Sequence, residues 1–543
     1  MVLEKGRFPA TTASYEKICE RDMYYVDKTG MIWQLANSLD VAFLSRPRRF
    51  GKSMLLDTMA CYFEGRRELF EGRELLPLED AKGERAWVKH PVLRFDFSDI
   101  MYPTPDELEA TIREHITWAC RRYGISPPPQ GERVRLTTVI RELAEMAGAR
   151  VAVIIDEYDI PLLDALVKGD EAMLEGARDY LRSFYRSLKA AERHIHFLMV
   201  TGISQVRHVG LFSGFNHVED ISFHEEYSTI CGFSEAEIRS TLWGPVQRMA
   251  TANGRSAEQQ MEALRHKYDG YRFSRKTEDV YNPFGLMNAL MEGELKDYWS
   301  RVGTPSSADI LIPRYDALGV VNLSGTIAAG ESDLARFDYE RSNPVPFLYQ
   351  TGYLTIKGLN EQGDYLLDFP NLEVRESIML LLAPKTLGVK EDMAYRGLQR
   401  NLVRALNGTD IGALEACIQA FLSSLPFDAE DDDAQQTWEL RECRYRDAVH
   451  LVFAGVRSDV RVEQIGAEGI SDVEIIGQRM VVLMELKMQR DGNTAQKALE
   501  QAERYAARHL GGEMPVWAVG AVIGKKARIT WAERCVWSPE ERE

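Results

Sequence analysis

Phe43-Leu-Ser-Arg-Pro-Arg-Arg-Phe-Gly-Lys-Ser-Met-Leu-Leu56 decides the fold of this chain, because an apolar run changes there into a basic loop that ends in Gly51-Lys52-Ser53. A strand that leads through a tight loop into a helix leaves the first N–H groups of the helix unpaired, and these groups favour an anion. In a phosphate-binding loop the glycine lets the backbone approach the phosphates, the lysine reaches the β- and γ-phosphates, and the hydroxyl holds Mg²⁺. The stretch therefore predicts a site for ATP and Mg²⁺.

The general fingerprint of such loops, G-x-x-x-x-G-K-[ST], requires glycine where this chain has Arg46. The plain alternative is a basic helix N-terminus that binds no nucleotide. In a phosphate-binding loop the nucleotide contacts are expected from Arg46, Arg49, Phe50, Gly51, Lys52, Ser53 and Met54. The loop alone leaves both interpretations open.

Val151-Ala-Val-Ile-Ile-Asp156-Glu157 supplies the second half of a nucleotide site. Its apolar run fits a central parallel strand that is buried on both faces. Asp156 would hold Mg²⁺ through water, and Glu157 would polarise the attacking water. The alternative is a core strand that ends in surface acids, and the phosphate loop upstream favours the nucleotide site.

The segments around these two motifs alternate between strand and helix patterns. Val92-Leu-Arg-Phe-Asp-Phe-Ser98 alternates with period two, and His196-Phe-Leu-Met-Val-Thr201-Gly202 has the pattern of a buried strand. Helices are expected over 105–123, 136–147 and around 171–190. This order predicts a parallel α/β sheet. Thr201 would sense the γ-phosphate from a strand tip, or it would only cap the next turn.

Length and composition indicate a multidomain soluble protein. At about 150 residues per domain, the 543 residues correspond to roughly three to four domains. No apolar run approaches the about 18 residues of a membrane span, and the N-terminus lacks the apolar core of a signal peptide. The seven cysteines are scattered without a C-x-x-C pair, which favours reduced thiols and a cytoplasmic location.

The formal net charge of −17 argues against nonspecific coating of a polyanion, because phosphate affinity comes from clustered lysines and arginines. Nucleic acid is not excluded as a partner. Local basic clusters such as the one in the phosphate loop matter more than the sum, and an acidic Mg²⁺ site adds negative charge of its own.

Four motifs together resemble those of the AAA-ATPase-like proteins of bacteria and archaea that carry a C-terminal PD-(D/E)XK nuclease domain. They are Tyr25-Val-Asp27-Lys28-Thr29, the phosphate loop, Asp156-Glu-Tyr-Asp159-x-Pro161-Leu162 and Thr201-Gly202-x-Ser204. Arginine at position 46 is usual in that family. The resemblance continues through Cys231-Gly-Phe-Ser234-x-x-Glu237, which is also a capping box, and through Tyr268-Asp-Gly-Tyr-Arg-Phe273 and Tyr281-Asn-Pro-Phe284. For these last aromatic residues, packing at a lid or domain junction is favoured over catalysis.

Residues 290–400 have a different pattern, of short helices and a hairpin. Phe347-Leu-Tyr-Gln-Thr-Gly-Tyr-Leu-Thr-Ile356 predicts a helix end, a turn at Gly352 and a strand, and Asp364-Tyr-Leu-Leu-Asp-Phe-Pro370 is its expected partner. A small winged-helix-like module fits this pattern. No basic recognition helix is evident, so a structural linker is favoured over a DNA-binding module.

The C-terminal segment has the order αβββαβ, with a helical pattern over 437–455 and a later helix over 494–508. In the strand Met480–Lys487, Glu485 and Lys487 project from the same face. Asp472 opens the preceding strand close enough to complete a carboxylate cluster, which would bind Mg²⁺ through oxygen ligands. The metal would polarise a scissile phosphate, and Lys487 would orient the attacking water or stabilise developing charge.

Asp472 followed by Glu485-x-Lys487 resembles the PD-(D/E)XK motif, which is short and common. The plain alternative is an amphipathic strand end. The strand order, the resemblance of the N-terminal part, and Gln501-x-x-x-Tyr505 on one helix face, as in RecB-like members, favour the nuclease interpretation. Glu442 is the expected helix-borne metal ligand, with Glu439 and Glu468 as alternatives.

The resemblance implies a P-loop ATPase core over 1–225, a helical lid over 226–300, a winged-helix-like linker over 301–405 and a nuclease-like domain over 406–543. It implies an oligomeric Mg²⁺-dependent DNA endonuclease that is gated by ATP, in antiphage defence or mobile elements. Arg207 is a candidate for an arginine that completes a neighbouring subunit's site, although a plain surface arginine is the favoured interpretation. The alternative function is a nucleotide-dependent switch whose nuclease-like domain binds nucleic acid or protein without cleaving.

Overall fold

The computed structural model divides the chain into two compact units, Met1–Ile312 with Ile327–Asn371, and Pro313–Thr326 with Leu372–Glu543. For residues 392–396, 424, 459–466 and 469–472 it describes the backbone alone. Outside the described residues are 1–6, 10–11, 99, 101–103, 130–134, 205–217, 276–277, 300–326, 335–342, 376, 379–391, 426–444, 446–447, 450–451, 454–458, 467–468, 478, 491, 507–508, 510, 525–527 and 540–543.

A five-stranded parallel sheet forms the centre of the first unit. Its strands are β1 (Val41–Ser45), β2 (Val92–Asp96), β3 (Val151–Asp156), β4 (Ile195–Gly202) and β5 (Glu219–Asp220), in the order β2-β3-β4-β1-β5. Every pairing is parallel. All residues of β1 and β3 are buried, as expected for strands covered on both faces. The predicted parallel α/β sheet is confirmed.

Eight helices belong to the described part of this sheet domain. They are α1 (Tyr15–Glu20), α2 (Thr29–Ser38), α3 (Lys52–Phe63), α4 (Leu75–Asp80), α5 (Pro105–Tyr123), α6 (Leu136–Ala147), α7 (Ile160–Lys168) and α8 (Glu171–Ala190). The apolar faces of α5, α6 and α8 pack against the sheet in one cluster that includes Ile112, Ile140, Leu181 and Ile155. This core fixes the direction of the strands whose carboxyl ends carry the motifs.

Four further helices follow the sheet: α9 (Glu235–Thr241), α10 (Trp243–Ala252), α11 (Ala257–Tyr268) and α12 (Pro283–Glu292). The predicted capping box opens α9, with Ser234 and Glu237 exchanging side-chain and backbone hydrogen bonds. The buried ammonium of Lys28 donates to Glu237 Oε1 at 2.5 Å and to the Thr229 carbonyl at 2.7 Å. The Tyr25–Thr29 motif therefore anchors the helical segment.

A small antiparallel sheet completes the first unit. It contains β6 (Ile327–Ala329), β7 (Thr355–Leu359) and β8 (Tyr365–Asp368) in the order β6-β8-β7, with helices α13 (Glu331–Leu334) and α14 (Val345–Thr351) before the hairpin. Gly352 ends α14 with φ +89°. The hairpin lies where the sequence predicts it, and the winged-helix-like module stays a prediction.

The second unit is built on a mixed sheet. Helices α15 (Asp392–Asn407) and α16 (Ile411–Ser424) precede β9 (Asp459–Gly466), β10 (Gly469–Ile476), β11 (Val481–Met488), helix α17 (Ala495–Ala506), β12 (Val516–Ile523) and β13 (Ile529–Trp537). The strand order is β13-β12-β11-β10-β9. Only the β11–β12 pairing, which α17 connects, is parallel. The sequence prediction omitted β13.

In the part of the chain that the structure describes, no helix is both long enough and apolar enough to span a membrane.

Candidate nucleotide site and candidate nuclease site

The phosphate loop occupies the six residues between the end of β1 at Ser45 and the start of α3 at Lys52. Gly51 adopts φ +94°, and a Cβ there would meet nothing within 4 Å, so the backbone conformation rather than lack of space requires glycine. The buried ammonium of Lys52 donates to the carbonyl oxygens of Arg46 at 3.0 Å and Pro47 at 3.3 Å. The lysine is thereby held along the inside of the loop.

Asp156 joins the loop to the centre of the sheet. Its Oδ2 accepts a hydrogen bond from Ser53 Oγ at 2.6 Å, and its Oδ1 accepts one from Thr201 Oγ1 at 2.6 Å. This is possible because β4 lies between β1 and β3, which brings the carboxyl ends of all three strands to one edge. Ligands of open α/β sheets bind at that edge. Three residues from separate sequence motifs therefore meet there.

Glu157 lies beside this group in a strained backbone conformation with φ +51°. Its Oε1 is 3.5 Å from Lys52 Nζ, and its Oε2 is buried without a hydrogen-bond partner. Burial raises the pKa of this carboxyl, and the charge of Lys52 opposes the rise. A buried carboxylate with a raised pKa beside a cation has the character of a general base.

Asp159 and Tyr158 hold the tips of β3 and β4 together. The Asp159 carboxylate accepts from the N–H groups of Ile203 at 3.2 Å and Ser204 at 2.6 Å, and from Ser204 Oγ at 2.6 Å. The Tyr158 hydroxyl donates to the Ser204 carbonyl at 2.9 Å. A Cβ on Gly202 would lie 2.5 Å from the Tyr158 ring. These contacts fix Thr201 beside Asp156, a role that sequence reasoning did not assign to them.

Arg49, Phe50 and Met54, which were also expected to contact the nucleotide, have contacts within the first unit. The guanidinium of Arg49 donates to the Tyr298 carbonyl at 3.2 Å and the Trp299 carbonyl at 2.7 Å. Phe50 packs edge-on against two aromatic rings of the Tyr268–Phe273 motif. The Met54 carbonyl accepts a bond from Thr58 Oγ1 within α3. Direct nucleotide contacts of Arg49, Phe50 and Met54 stay predictions.

The residues that meet at this edge fit a nucleotide with Mg²⁺. A hydroxyl and a carboxylate oxygen are hard ligands of the kind that Mg²⁺ takes, and Mg²⁺ completes its shell with water and phosphate oxygens. Among the described residues no group of three or more His, Cys, Asp or Glu could hold a metal. Ser53 and Asp156 would be its protein ligands here, and a site with few protein ligands is usual for Mg²⁺ that is bound together with a phosphate.

The candidate nuclease site lies in the mixed sheet of the second unit. Glu485 and Lys487 share one face of β11, and Lys487 Nζ is 2.7 Å from the buried Glu485 Oε1. Asp472 lies in β10, and the next residue, Val473, pairs with Met484. Continuing this antiparallel register places Asp472 opposite Glu485, and the Asp472 side chain lies outside the described structure.

Other predicted residues of this site fall partly outside the described structure. Gln501 on α17 donates from Nε2 to the Tyr505 hydroxyl at 3.1 Å, as their spacing on one helix face allows. Outside the described residues are Glu442, its alternatives Glu439 and Glu468, and the candidate intersubunit residue Arg207.

Two features of this sheet were missed from the sequence. Glu474, two residues after Asp472 on the same face of β10, is 1% exposed, and its Oε1 is 3.1 Å from His509 Nε2. Gly520 pairs with Glu485, and a Cβ there would collide with the backbone of α17 at Ala495 and Leu499. A glycine inside a strand signals close backbone approach, and this was the available clue.

Comparison with known proteins places this architecture in a family. Residues 9–212 match the family model described as "Predicted AAA-ATPase". Over 542 residues the chain is 31% identical to the "Uncharacterized protein in vnfD 5'region" of Azotobacter chroococcum mcd 1, and the match covers 97% of this chain and 98% of that protein. The chain belongs to the same family as that protein, and its first 212 residues carry an AAA-ATPase-like domain.

Proposed function

We propose that the first unit binds ATP with Mg²⁺ and hydrolyses it at the edge where β1, β3 and β4 end. The observation that supports this most is the pair of 2.6 Å hydrogen bonds by which Asp156 joins Ser53 to Thr201. Lys52 contacts the β- and γ-phosphates, Glu157 takes the proton of the attacking water, and Thr201 orients the groups around the γ-phosphate. Bound Mg²⁺ supplies neutralisation of the charge on the phosphates.

Replacing the loop lysine tests this proposal. Lys52→Ala should lower ATP turnover by about a hundredfold or more, because a preorganised cation at the transition state is lost. Phosphate release from purified protein measures the effect. Lys296→Ala is the matched control, since Lys296 forms surface ion pairs with Glu292 and Glu294. Equal turnover in Lys52→Ala and the wild type would refute the assignment.

We further propose that the second unit is a Mg²⁺-dependent endonuclease that acts on DNA. The support is the Glu485–Lys487 pair on one strand face, with Asp472 opposite by register. Glu485 and Asp472, completed by Glu442, would hold Mg²⁺, while Lys487 and Gln501 position water and phosphate.

We also propose how the two units work together. The nucleotide state of the first unit controls access to the nuclease site. The active form is an oligomer in which Arg207 completes the ATP site of a neighbouring subunit. Antiphage defence or mobile-element biology is the proposed setting.

The nuclease proposal is tested with plasmid and single-stranded DNA in Mg²⁺, with and without ATP. Glu485→Gln should abolish cleavage while ATP turnover continues, because the substitution removes a metal-binding charge from the other unit and keeps the side chain's size. Glu500→Gln, on the exposed side of α17, is the control. RNA cleavage instead of DNA cleavage would change the substrate class. Nucleic-acid binding without cleavage by the wild type would establish the alternative, a nucleotide-dependent binding switch.

A further inference from the structure

Arg46 stands where the general phosphate-loop fingerprint has glycine, and its side chain is 1% exposed. Its Nη1 donates to the carbonyl oxygens of Ser45 at 2.9 Å and Ser222 at 2.8 Å, and its Nη2 donates to the Tyr227 carbonyl at 3.3 Å. The guanidinium carbon lies 4.1 Å from the centroid of the Phe273 ring. The side chain thus ties the loop to two segments that lie far along the sequence.

A charge this deeply buried is costly unless hydrogen bonds replace its water. Here carbonyl oxygens accept from both terminal nitrogens and an aromatic face supplies a cation–π contact, while Nε is buried without a hydrogen-bond partner. Removing the guanidinium would take this donor from the carbonyl oxygens of the buried residues Ser222 and Tyr227, which is also costly. The arginine and its surroundings are therefore mutually required.

The backbone of Arg46 takes part in the site itself. Its carbonyl oxygen accepts from Lys52 Nζ at 3.0 Å, and its N–H donates to the Gly202 carbonyl at 3.2 Å, one residue beyond Thr201. A shift of this one residue would move the acceptor of the phosphate-binding lysine and the tip of β4 together. The side-chain anchors of Arg46 decide where that residue lies.

We propose that Arg46 is a positioning residue for nucleotide binding, whose guanidinium holds the loop in its phosphate-binding conformation from behind. In the general fingerprint the first glycine lets the backbone adopt the loop conformation. In this chain the side-chain bonds of Arg46 to Ser222 and Tyr227 hold the backbone in that conformation instead. The inference rests on the proposed ATPase function and adds a role that differs from direct contact with phosphate.

The decisive variant is Arg46→Gly, which restores the general fingerprint. We expect its affinity for a fluorescent ATP analogue to fall by about a hundredfold, because small misplacements in a preorganised site have effects of that size. Arg46→Lys, which keeps the charge and one donor direction, should recover part of the affinity. Phe273→Leu keeps Arg46 and removes its aromatic support, and should weaken binding by a smaller factor.

Circular dichroism and thermal unfolding accompany each binding measurement, at a temperature where the variants are folded. Ile140→Val, in the α6 core, reports what a loss of stability alone does to binding. The inference is overturned when Arg46→Gly binds as tightly as the wild type, or when its loss equals that of Ile140→Val at matched stability. If Arg46→Gly does not fold, full affinity in Phe273→Leu overturns it. A wild type that binds no nucleotide removes the proposed function itself.

Discussion

At the scale of single residues, Glu157 sets how the proposed ATPase responds to acid. Burial raises its pKa, whereas the positive charges of Lys52 and Arg48 lower it. A general base works when deprotonated, so turnover should fall as the pH drops through a value above that of an ordinary glutamate. Removing one of these positive charges should raise the pKa of Glu157, so ATP turnover should begin to fall at a higher pH.

Arg48→Ala therefore should shift the acid limb of the kcat profile toward neutral pH. The measurement is ATP turnover across the acid to neutral range at saturating nucleotide. Arg85→Ala, an exposed arginine outside the loop, is the control. An acid limb at the same pH in Arg48→Ala and the wild type would show that another group limits the rate.

The meeting of Ser53, Asp156 and Thr201 was predictable, because each lies at the start or end of a recognisable element and parallel strands end at one edge. The direction of the Arg46 side chain was not. Its hydrogen-bond acceptors, the carbonyls of Ser222 and Tyr227, are set by tertiary structure and leave no trace in the local pattern. The same holds for Asp159, whose partners, Ile203 and Ser204, come just after another strand, β4.

At the scale of elements, the turn between α14 and β7 packs against the phosphate loop. A Cβ on Gly352 would lie 2.7 Å from Pro47 Cβ, and the rigid proline could not move without the loop. Gly363, in the turn between β7 and β8, also has a positive φ, of +86°, but a Cβ there would meet nothing within 4 Å. A comparison of variants at the two glycines therefore distinguishes the effect of backbone strain from the effect of contact with the phosphate loop.

Gly352→Ala and Gly363→Ala should each lower the free energy of unfolding by about 1 kcal/mol or more, since both force alanine into the left-handed region. Only Gly352→Ala should also weaken nucleotide binding, because only it displaces Pro47. Urea unfolding and fluorescent-nucleotide titration measure the two effects. Equal nucleotide affinity in both variants would argue against communication between the α14–β7 turn and the phosphate loop.

Most strands of the second unit lie where the sequence predicts them, since their apolar runs are long and bounded by turns. β13 was missed because it is an edge strand, and most of its side chains are at least partly exposed. An edge strand buries too little to show a clear period-two pattern. β5, with two residues, is too short to be recognised by periodicity.

At the scale of the whole molecule, two histidines at the amino-terminal edge of the parallel sheet bear on stability in acid. The rings of His90 and His196 stack at 3.9 Å, and Arg150 Nη2 lies 3.4 Å from His196 Nδ1. Burial, followed by His90 and Arg150, lowers the pKa of His196 to about 4. The unfolded chain therefore takes up this proton first as the pH falls below about 6.5.

The first unit should lose about 1–2 kcal/mol of stability between about pH 6.5 and about pH 4 from this residue, after allowance for its partial exposure. His196→Gln should reduce that pH dependence, and His194→Asn serves as the control. Urea unfolding of the first unit at several pH values gives the slopes. An unchanged slope in His196→Gln would assign the acid sensitivity to other groups.

The two strand orders also imply that strand pairing occurs at different stages of synthesis in the two sheets. In the mixed sheet the spatial order follows the chain order, so each strand meets its partner soon after it is made. In the parallel sheet, β1 has β4 and β5 as its neighbours, and both are made much later. The apolar strand that leads into the phosphate loop must therefore wait, unpaired, until Ile195–Gly202 has left the ribosome. A fragment that ends before β4 would expose this strand and should aggregate rather than fold.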